Sequence, residues 1–412
     1  MALNYIWVGF FLIAFVVALF KLIFLGDTEV FARIMEAVFN RAELGFRLSI
    51  GLTGVLALWM GILKIGEEGG LIKTFSRWLS PLFTKLFPEL PKNHPAFGAM
   101  MLNLSANMLG LDNAATPMGL NAMKELQTVN PSKDTASNAQ IMFLVLNTSG
   151  MTLIPVSVLA LRATAGSANP TDVFIPILIA TFVSTMVGLI VTALIQKINL
   201  LQATVLYYLG GSTLVIGAML FYLKSLTPDE LTAFTGLFTN IFLFSVIIYI
   251  ILVGVFKKVN IYNAFIDGAK GGFEVAVMII PYLIAMLVAI GVFTASGAMD
   301  FLIKGLESLF AMIGMDTRFV EGLPTAFMKP LSGGGARALM VESWGVDGVN
   351  VDSFVGKLTS IFQGSTETTF YVLAVYFGSV NIKNMRYAAI AGLIADFAGI
   401  IAAIFIAYFF FG

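Results

Sequence analysis

A chain of 412 residues that is 58% hydrophobic and only 12% charged, with a mean hydropathy of +0.91, departs far from the roughly 25% charged content of globular domains and indicates a polytopic membrane protein. Its 24 basic and 24 acidic side chains cancel, so it has no net cationic field of the kind that nucleic-acid binders use. The lack of cysteine and the single histidine, His94, exclude disulfides, thiolate nucleophiles and multi-histidine metal sites.

Nine apolar segments reach the ~20 residues needed to cross a hydrocarbon core: 5–24, 44–65, 139–161, 172–195, 202–223, 231–256, 273–293, 352–377 and 387–411. The first has no basic start or small-residue cleavage site and reads as a retained span. Between the second and third lies 70–90, with Leu71, Ile72, Phe75, Trp78, Leu79 and Leu82 at helical spacing and Lys73, Arg77 and Lys85 between them, the pattern of an interfacial amphipathic helix. Two stretches, 95–123 and 324–344, are apolar but carry Gly, Asn, Ser and Pro through their middles. Irregular backbone survives at membrane depth only where protein or a water-filled cavity covers it, so both read as re-entrant hairpins. With the N-terminus cytoplasmic and the C-terminus outside, most loop Lys and Arg residues, from Lys73 and Arg77 to Lys383 and Arg386, fall inside.

The two halves repeat in order. Gly70–Leu86 has a counterpart in 297–313, again interfacial. Ala99 to Ser105 aligns with Ala326 to Ser332, and Asn147 to Thr152 with Gln363 to Thr368. The chain divides into 1–200, a linking span in 201–225, and 226–412. Each half holds four spans and one hairpin, so the linking span reverses the second half and makes an inverted repeat with a site expected at the midplane. The fold class is therefore all-α and polytopic, with about nine transmembrane helices, two re-entrant hairpins and two interfacial amphipathic helices.

Polar groups inside such a membrane protein mark function by default. In the first hairpin, Asn103, Ser105, Asn107, Asn113 and Thr116 leave donors and acceptors near a ligand. In the second, Ser332, Gly333 and Gly334 let the chain approach a ligand closely, and a helix starting there would aim its free N–H groups at an anion, with Lys329 and Arg337 strengthening that preference. Asn147, Thr148 and Ser149, and Gln363, Ser365, Thr366, Glu367 and Thr368, would form the complementary walls; helix–helix hydrogen bonding is the plainer reading of the same hydroxyls. Glu274 and Asp396 sit in apolar helices and fit either coupling-ion or proton sites or structural partners of Arg337 and Lys329. His94, at the interface, reads as a solvated histidine.

Asn107 to Met123 resembles the signature of spore maturation protein A. Pro330 to Ala336 together with Gln363 to Val380 resembles spore maturation protein B. Both belong to the nucleoside-recognition, or gate-domain, superfamily, which is similar to the concentrative nucleoside transporters. The resemblance spans nearly the whole chain, A-like over about 1–200 and B-like over about 226–412. It implies two interrupted helices that, with the hairpins, hold solute and sodium at 103–116, 147–149, 329–337 and 363–368. It also implies a bacterial plasma-membrane location and a role in cell envelope or spore maturation, without naming a nucleoside as the solute.

The sequence thus leads to a transporter-like protein that moves or binds a small anionic solute, with Na⁺ or H⁺ as coupling ion and no other cofactor. Membrane lipids, the solute and a second copy of the chain are the expected partners, and nucleic acid is not. The alternative is a non-transporting membrane scaffold or regulator of an envelope or spore-maturation machine. An intramembrane hydrolase using Ser332 and Lys329 is disfavoured by Pro330 between them, and the chain is not expected to be an enzyme.

Overall fold

The computed structural model describes residues 2–91, 93–108, 112–150, 152–312, 314–345 and 348–412, leaving aside the side chains of residues 2, 3 and 112–114. Among the described residues there is no strand, only one isolated bridge between Thr135 and Asn384. The helices are α1 (Ala2–Leu25), α2 (Val30–Glu68), α3 (Leu71–Leu86), α4 (Pro95–Met108), α5 (Asp112–Thr128), α6 (Asn138–Ser149), α7 (Val156–Thr164) and α8 (Phe174–Ile195). Then comes α9 (Ala203–Val205), which runs through a π-helical turn into α10 (Gly211–Lys224), followed by α11 (Pro228–Phe256) and α12 (Ile261–Ala295). The chain ends with α13 (Ala298–Met312), α14 (Leu323–Met328), α15 (Gly333–Ser343), α16 (Phe354–Ser365), α17 (Thr369–Ser379) and α18 (Ala388–Phe411).

The order α2 to α8 returns as α12 to α18, so the repeat read from the sequence is a repeat of helices. Both interfacial helices begin after a left-handed glycine, Gly70 at φ 82° before α3 and Gly297 at φ 86° before α13. Each hairpin is a pair of short helices packed on each other, α4 with α5 and α14 with α15. Among the described residues, seven helices are long and apolar enough to cross a membrane. The two other expected spans, 139–161 and 352–377, are each split, into α6 with α7 and α16 with α17. Gly150, at φ 46°, caps α6 in the left-handed region, and Pro155 bars helix from continuing upstream of α7. At the second split Thr366 and Thr368 are extended, as hydroxyl and β-branched residues allow at low cost.

Two helices are longer than hydropathy indicated. The span expected at 44–65 belongs to α2, 39 residues long, and the one at 273–293 belongs to α12, 35 residues long. Charged residues hid the extra turns: Arg41 of α2 is mostly buried and pairs with Glu342 of α15 at 2.7 Å, so its charge is compensated inside the fold.

The geometry of equivalent helices shows the inversion directly. Along the α2–α12 seam, Arg41 faces Gly291, Gly45 faces Ile284, Ala57 faces Gly272 and Gly61 faces Phe265, so the helices run antiparallel. Along α8–α18, Gly188 faces Ala395 and Ser184 faces Gly399, again antiparallel. The cross-pairs are reciprocal, α6 packing on α18 and α16 on α8. Reciprocal contacts between equivalent elements are the mark of a two-fold axis. Buried at the end of α7, Arg162 ties the halves together: it bonds Asp172 at 2.9 Å, Asp352 at 2.8 Å and the Val351 carbonyl at 2.9 Å.

Small residues set the seam spacing, because without a hydrophobic gradient between lipid and protein, membrane helices gain from close packing. A Cβ on Gly272 would lie 2.6 Å from the Ala57 backbone, whereas one on Gly305 of α13 would meet nothing within 4 Å. Gly272→Val is expected to destabilise the protein by ~1–3 kcal/mol through overpacking. Gly305→Ala should be neutral or slightly stabilising, and the thermal unfolding midpoints of the two purified variants check this.

Candidate functional site

The two interrupted helices cross at their breaks, and main-chain hydrogen bonds hold the crossing. Glu367 N–H donates to the Thr148 carbonyl at 2.8 Å. Each break also takes a bond from the hairpin of its own half: Leu153 N–H donates to the Met108 carbonyl at 2.8 Å, and Phe370 N–H to the Pro330 carbonyl at 3.0 Å. The crossing is tight enough that a Cβ on Gly150 would come within 2.8 Å of the Glu367 side chain.

Against this crossing lies a cavity of about 260 Å³. Its walls include Lys329, Gly333 and Arg337 of the second hairpin, Gln363, Thr366, Glu367 and Thr368 of the second break, Thr152 and Ser157 beyond the first break, Lys64 and Glu67 of α2, Gly268 of α12, and an apolar surface from Leu56, Trp59, Met60, Leu63, Ile154, Val156, Val158 and Val275. Helix α15 starts at Gly333, as the glycine run indicated, with Ser332 as its N-cap accepting from Gly335 N–H at 3.0 Å. The N-terminal turn of α15 therefore faces the cavity at Gly333, and Arg337 stands one turn further on. Gln363 Nε2 reaches the Gly333 carbonyl at 3.4 Å, while its buried Oε1 has no hydrogen-bond partner. Lys64 and Glu67 pair with each other at 3.1 Å, and Lys329, Arg337 and Glu367 also line the cavity.

The site residues expected in the first half occupy different positions. Asn103 is fully buried and donates to the Ala115 carbonyl at 2.7 Å and the Tyr376 hydroxyl at 3.3 Å, tying the arms of the first hairpin to each other and to α17. Asn107 donates to Asn147 Oδ1 at 2.8 Å, and Asn147 in turn to the Phe143 carbonyl. Ser105 meets Ser76 of α3 at 3.5 Å. The hydroxyls of Thr148, Ser149 and Ser365 bond carbonyls of their own helices. None of these lines the 260 Å³ cavity, nor do Thr116, Ser332 and Gly334. Asn113 falls in α5, with its side chain outside the described residues. Glu274 is exposed on α12, away from the cavity, whereas Asp396 is buried on α18 beside the second break.

Sequence reading missed the α2 contribution. Lys64, inside the expected span 44–65, and Glu67, two residues beyond it, were not among the expected site residues and both line the wall. Thr152 carried a signal, since it aligned with Thr368 in the repeat. Because the chain has no cysteine, a single-cysteine scan checks the cavity. Thr152→Cys and Ser157→Cys should react readily with a small water-soluble thiol reagent, and cysteines replacing the buried Thr148 and Ser184 should stay protected.

The profile of the gate family, described as nucleoside recognition, matches residues 49–165 and 276–383, more than half of the chain. These stretches start within the equivalent helices α2 and α12 and end after α7 and α17. A 188-residue stretch, 46% of the chain, is 41% identical to spore maturation protein A of Bacillus subtilis (strain 168) and covers 92% of that protein. Another of 163 residues, 40% of the chain, is 47% identical to spore maturation protein B of the same organism and covers 89% of it. No solved structure matches the chain. The chain belongs to the nucleoside-recognition gate family and joins in one polypeptide the likenesses of two separate spore maturation proteins.

Proposed function

We propose that this gate-family chain is a transporter-like protein of a bacterial plasma membrane that binds and moves a small anionic solute through the cavity beside its crossed, interrupted helices, in the service of spore or envelope maturation. In this reading the N-terminus is cytoplasmic, nine spans cross the bilayer, and the C-terminus lies outside. The observation that carries it is the cavity itself, where Lys329, Arg337, Gln363 and Glu367 stand among apolar residues, and which opens on broken helix ends and on the start of α15. Free N–H groups at a helix start favour an anion, and bilayer-depth polar groups are retained only at a cost that function must justify.

Charge supports the anionic class. Counted over the lining, Lys64, Lys329 and Arg337 exceed Glu67 and Glu367 by one positive charge. Binding is expected to be non-catalytic, and the names of the relatives, both spore maturation proteins, support a part in that process. The test is a thermal-stability screen of the purified protein against small anions, nucleosides and cell-wall precursors, since a ligand of the native state raises apparent stability by mass action. Arg337→Ala should weaken any hit by roughly tenfold or more, the loss of one charge-assisted hydrogen bond. A blank screen, or an anion whose binding survives both Arg337→Ala and Lys329→Ala unaltered, would remove this reading.

A further inference from the structure

Beneath α3 lies a cavity of about 140 Å³ that is almost wholly apolar. The buried face of α3, from Leu79 to Leu86, lines one side; Leu104 of the first hairpin and Phe182 of α8 line others, and the cavity reaches Gly150 at the crossing. The polar side chains in its lining are engaged elsewhere. Asn107 donates to Asn147, Thr185 to the Ser149 carbonyl, Ser212 to the Tyr208 carbonyl and Tyr208 to the Trp78 carbonyl. Such a lining suits neither water nor a polar solute, and a dry cavity of ~150 Å³ takes a benzene-sized apolar molecule. Trp78 and Tyr208 mark its edge, their rings meeting edge-on with centroids 5.6 Å apart. Trp78 is 54% exposed, and Tyr208 belongs to the π-helical turn that leads into α10, a span with little of its surface buried. Trp and Tyr favour the head-group level of a bilayer, so the cavity runs from that level inward to the crossing.

The rest of α3 is basic. Lys73, Arg77 and Lys85 are exposed, and no acidic residue lies within the helix. Arg77 adjoins Trp78, and Lys85 stands about two turns beyond Trp78, on the same edge. Glu68 and Glu89 flank the helix, and Glu89 accepts from Asn138 at 2.6 Å. The equivalent helix α13 differs on both counts: Asp300 and Glu307 outnumber Lys304, and the second-half groove lined by Leu393, Phe397 and Ile400 of α18 includes no residue of α13. Duplication of the frame therefore explains neither the enclosure nor the charge. We propose that the cavity is a lipid site: it takes a length of one acyl chain of an anionic phospholipid, whose head group lies at the Trp78 edge of α3 against Arg77 and Lys85. A negatively charged amphiphile meets both features at once, because hydrocarbon gains from the apolar lining and an anionic head gains from basic side chains at the membrane surface. A neutral lipid answers only the first feature, and a soluble anion only the second. The chain then ends against Gly150. The site stands independently of the transport reading.

Native mass spectrometry of the purified full chain tests the site, with the protein released from nanodiscs that hold phosphatidylglycerol and phosphatidylcholine of the same acyl chains in equal amounts. The wild type should retain one phospholipid after the bulk lipid is stripped. Phosphatidylglycerol should be favoured by roughly tenfold, the gain expected from one or two basic side chains near the surface. Leu104→Phe and Ser212→Phe fill the cavity from the hairpin and from α10, and each should lose the retained lipid. The double variant Arg77→Gln, Lys85→Gln alters only exposed positions of α3 and so guards against a filled variant that fails to fold. It should keep the lipid and lose the preference. A wild type that retains no lipid, or a lipid that persists in both filled variants, overturns the site. Equal retention of the two phospholipids, or a preference that survives the double variant, overturns the head-group assignment, and a retained mass that matches a free fatty acid overturns the phospholipid.

Discussion

In a bilayer no water is at hand for a broken helix, so every interruption of the backbone must find partners inside the protein. This chain interrupts two helices and lets each interruption satisfy the other. The bond from Glu367 N–H to the Thr148 carbonyl joins the breaks, and those from Leu153 and Phe370 tie each break to a hairpin end. The hairpins must therefore reach the level of the breaks. The interfacial helices α3 and α13, each started by a left-handed glycine, set where the hairpins enter. The glycine-lined α2–α12 seam and the α8–α18 seam hold the two halves at the spacing that lets the breaks meet.

Two-fold architecture has produced a site to which both halves contribute, but of the two hairpins only the second. In the first half the amides bond within the fold: Asn103 donates to the Ala115 carbonyl and the Tyr376 hydroxyl, with its Oδ1 left unpartnered, and Asn107 donates to Asn147. Buried polar groups engaged in this way stiffen a structure. In the second half the equivalent stretch has glycines, Lys329 and Arg337 instead, with α15 starting at the cavity wall. The duplicated frame thus supplies the crossing, and divergence between the copies decides which side of it can bind. A site made equally by both copies would place like charges against each other near the axis, which the asymmetry avoids.

Hydropathy made most of this frame legible, because a bilayer permits few alternatives to an apolar helix. The hairpins were legible because Asn, Gly and Pro inside apolar stretches conflict with an ordinary span, and the α15 start because of Ser332 and the three glycines after it. What the sequence hid were features that depend on partners distant in the chain. The outer turns of α2 looked too charged for a span until Arg41 is seen paired with Glu342. The breaks lay inside segments whose hydropathy passes for whole spans, and it was the family resemblance that put interrupted helices at 147–149 and 363–368; Gly150 and Pro155 marked the first, and Thr366 and Thr368 mark the second far more weakly. Most of the first-half amides matched the pattern of a binding surface equally well, and only their mutual hydrogen bonds distinguish fasteners from ligand contacts.

A second cavity, of about 140 Å³ and almost wholly apolar, lies between α3, α4, α6, α8 and the α9–α10 region, with Trp78, Phe83, Asn107, Gly150 and Tyr208 in its lining. Gly150 belongs to this cavity and Glu367 to the polar one, and the two residues touch at the crossing. The barrier between the cavities there is one residue from each half. Separating the breaks would require giving up the Glu367–Thr148 bond while both helix seams stay closed. Close-packed seams deform little, whereas short half-helices and hairpins joined by a few hydrogen bonds can shift between discrete arrangements. For the proposed transport function, this geometry assigns the moving parts to the hairpins and half-helices at the crossing, in place of a rocking of one whole half against the other.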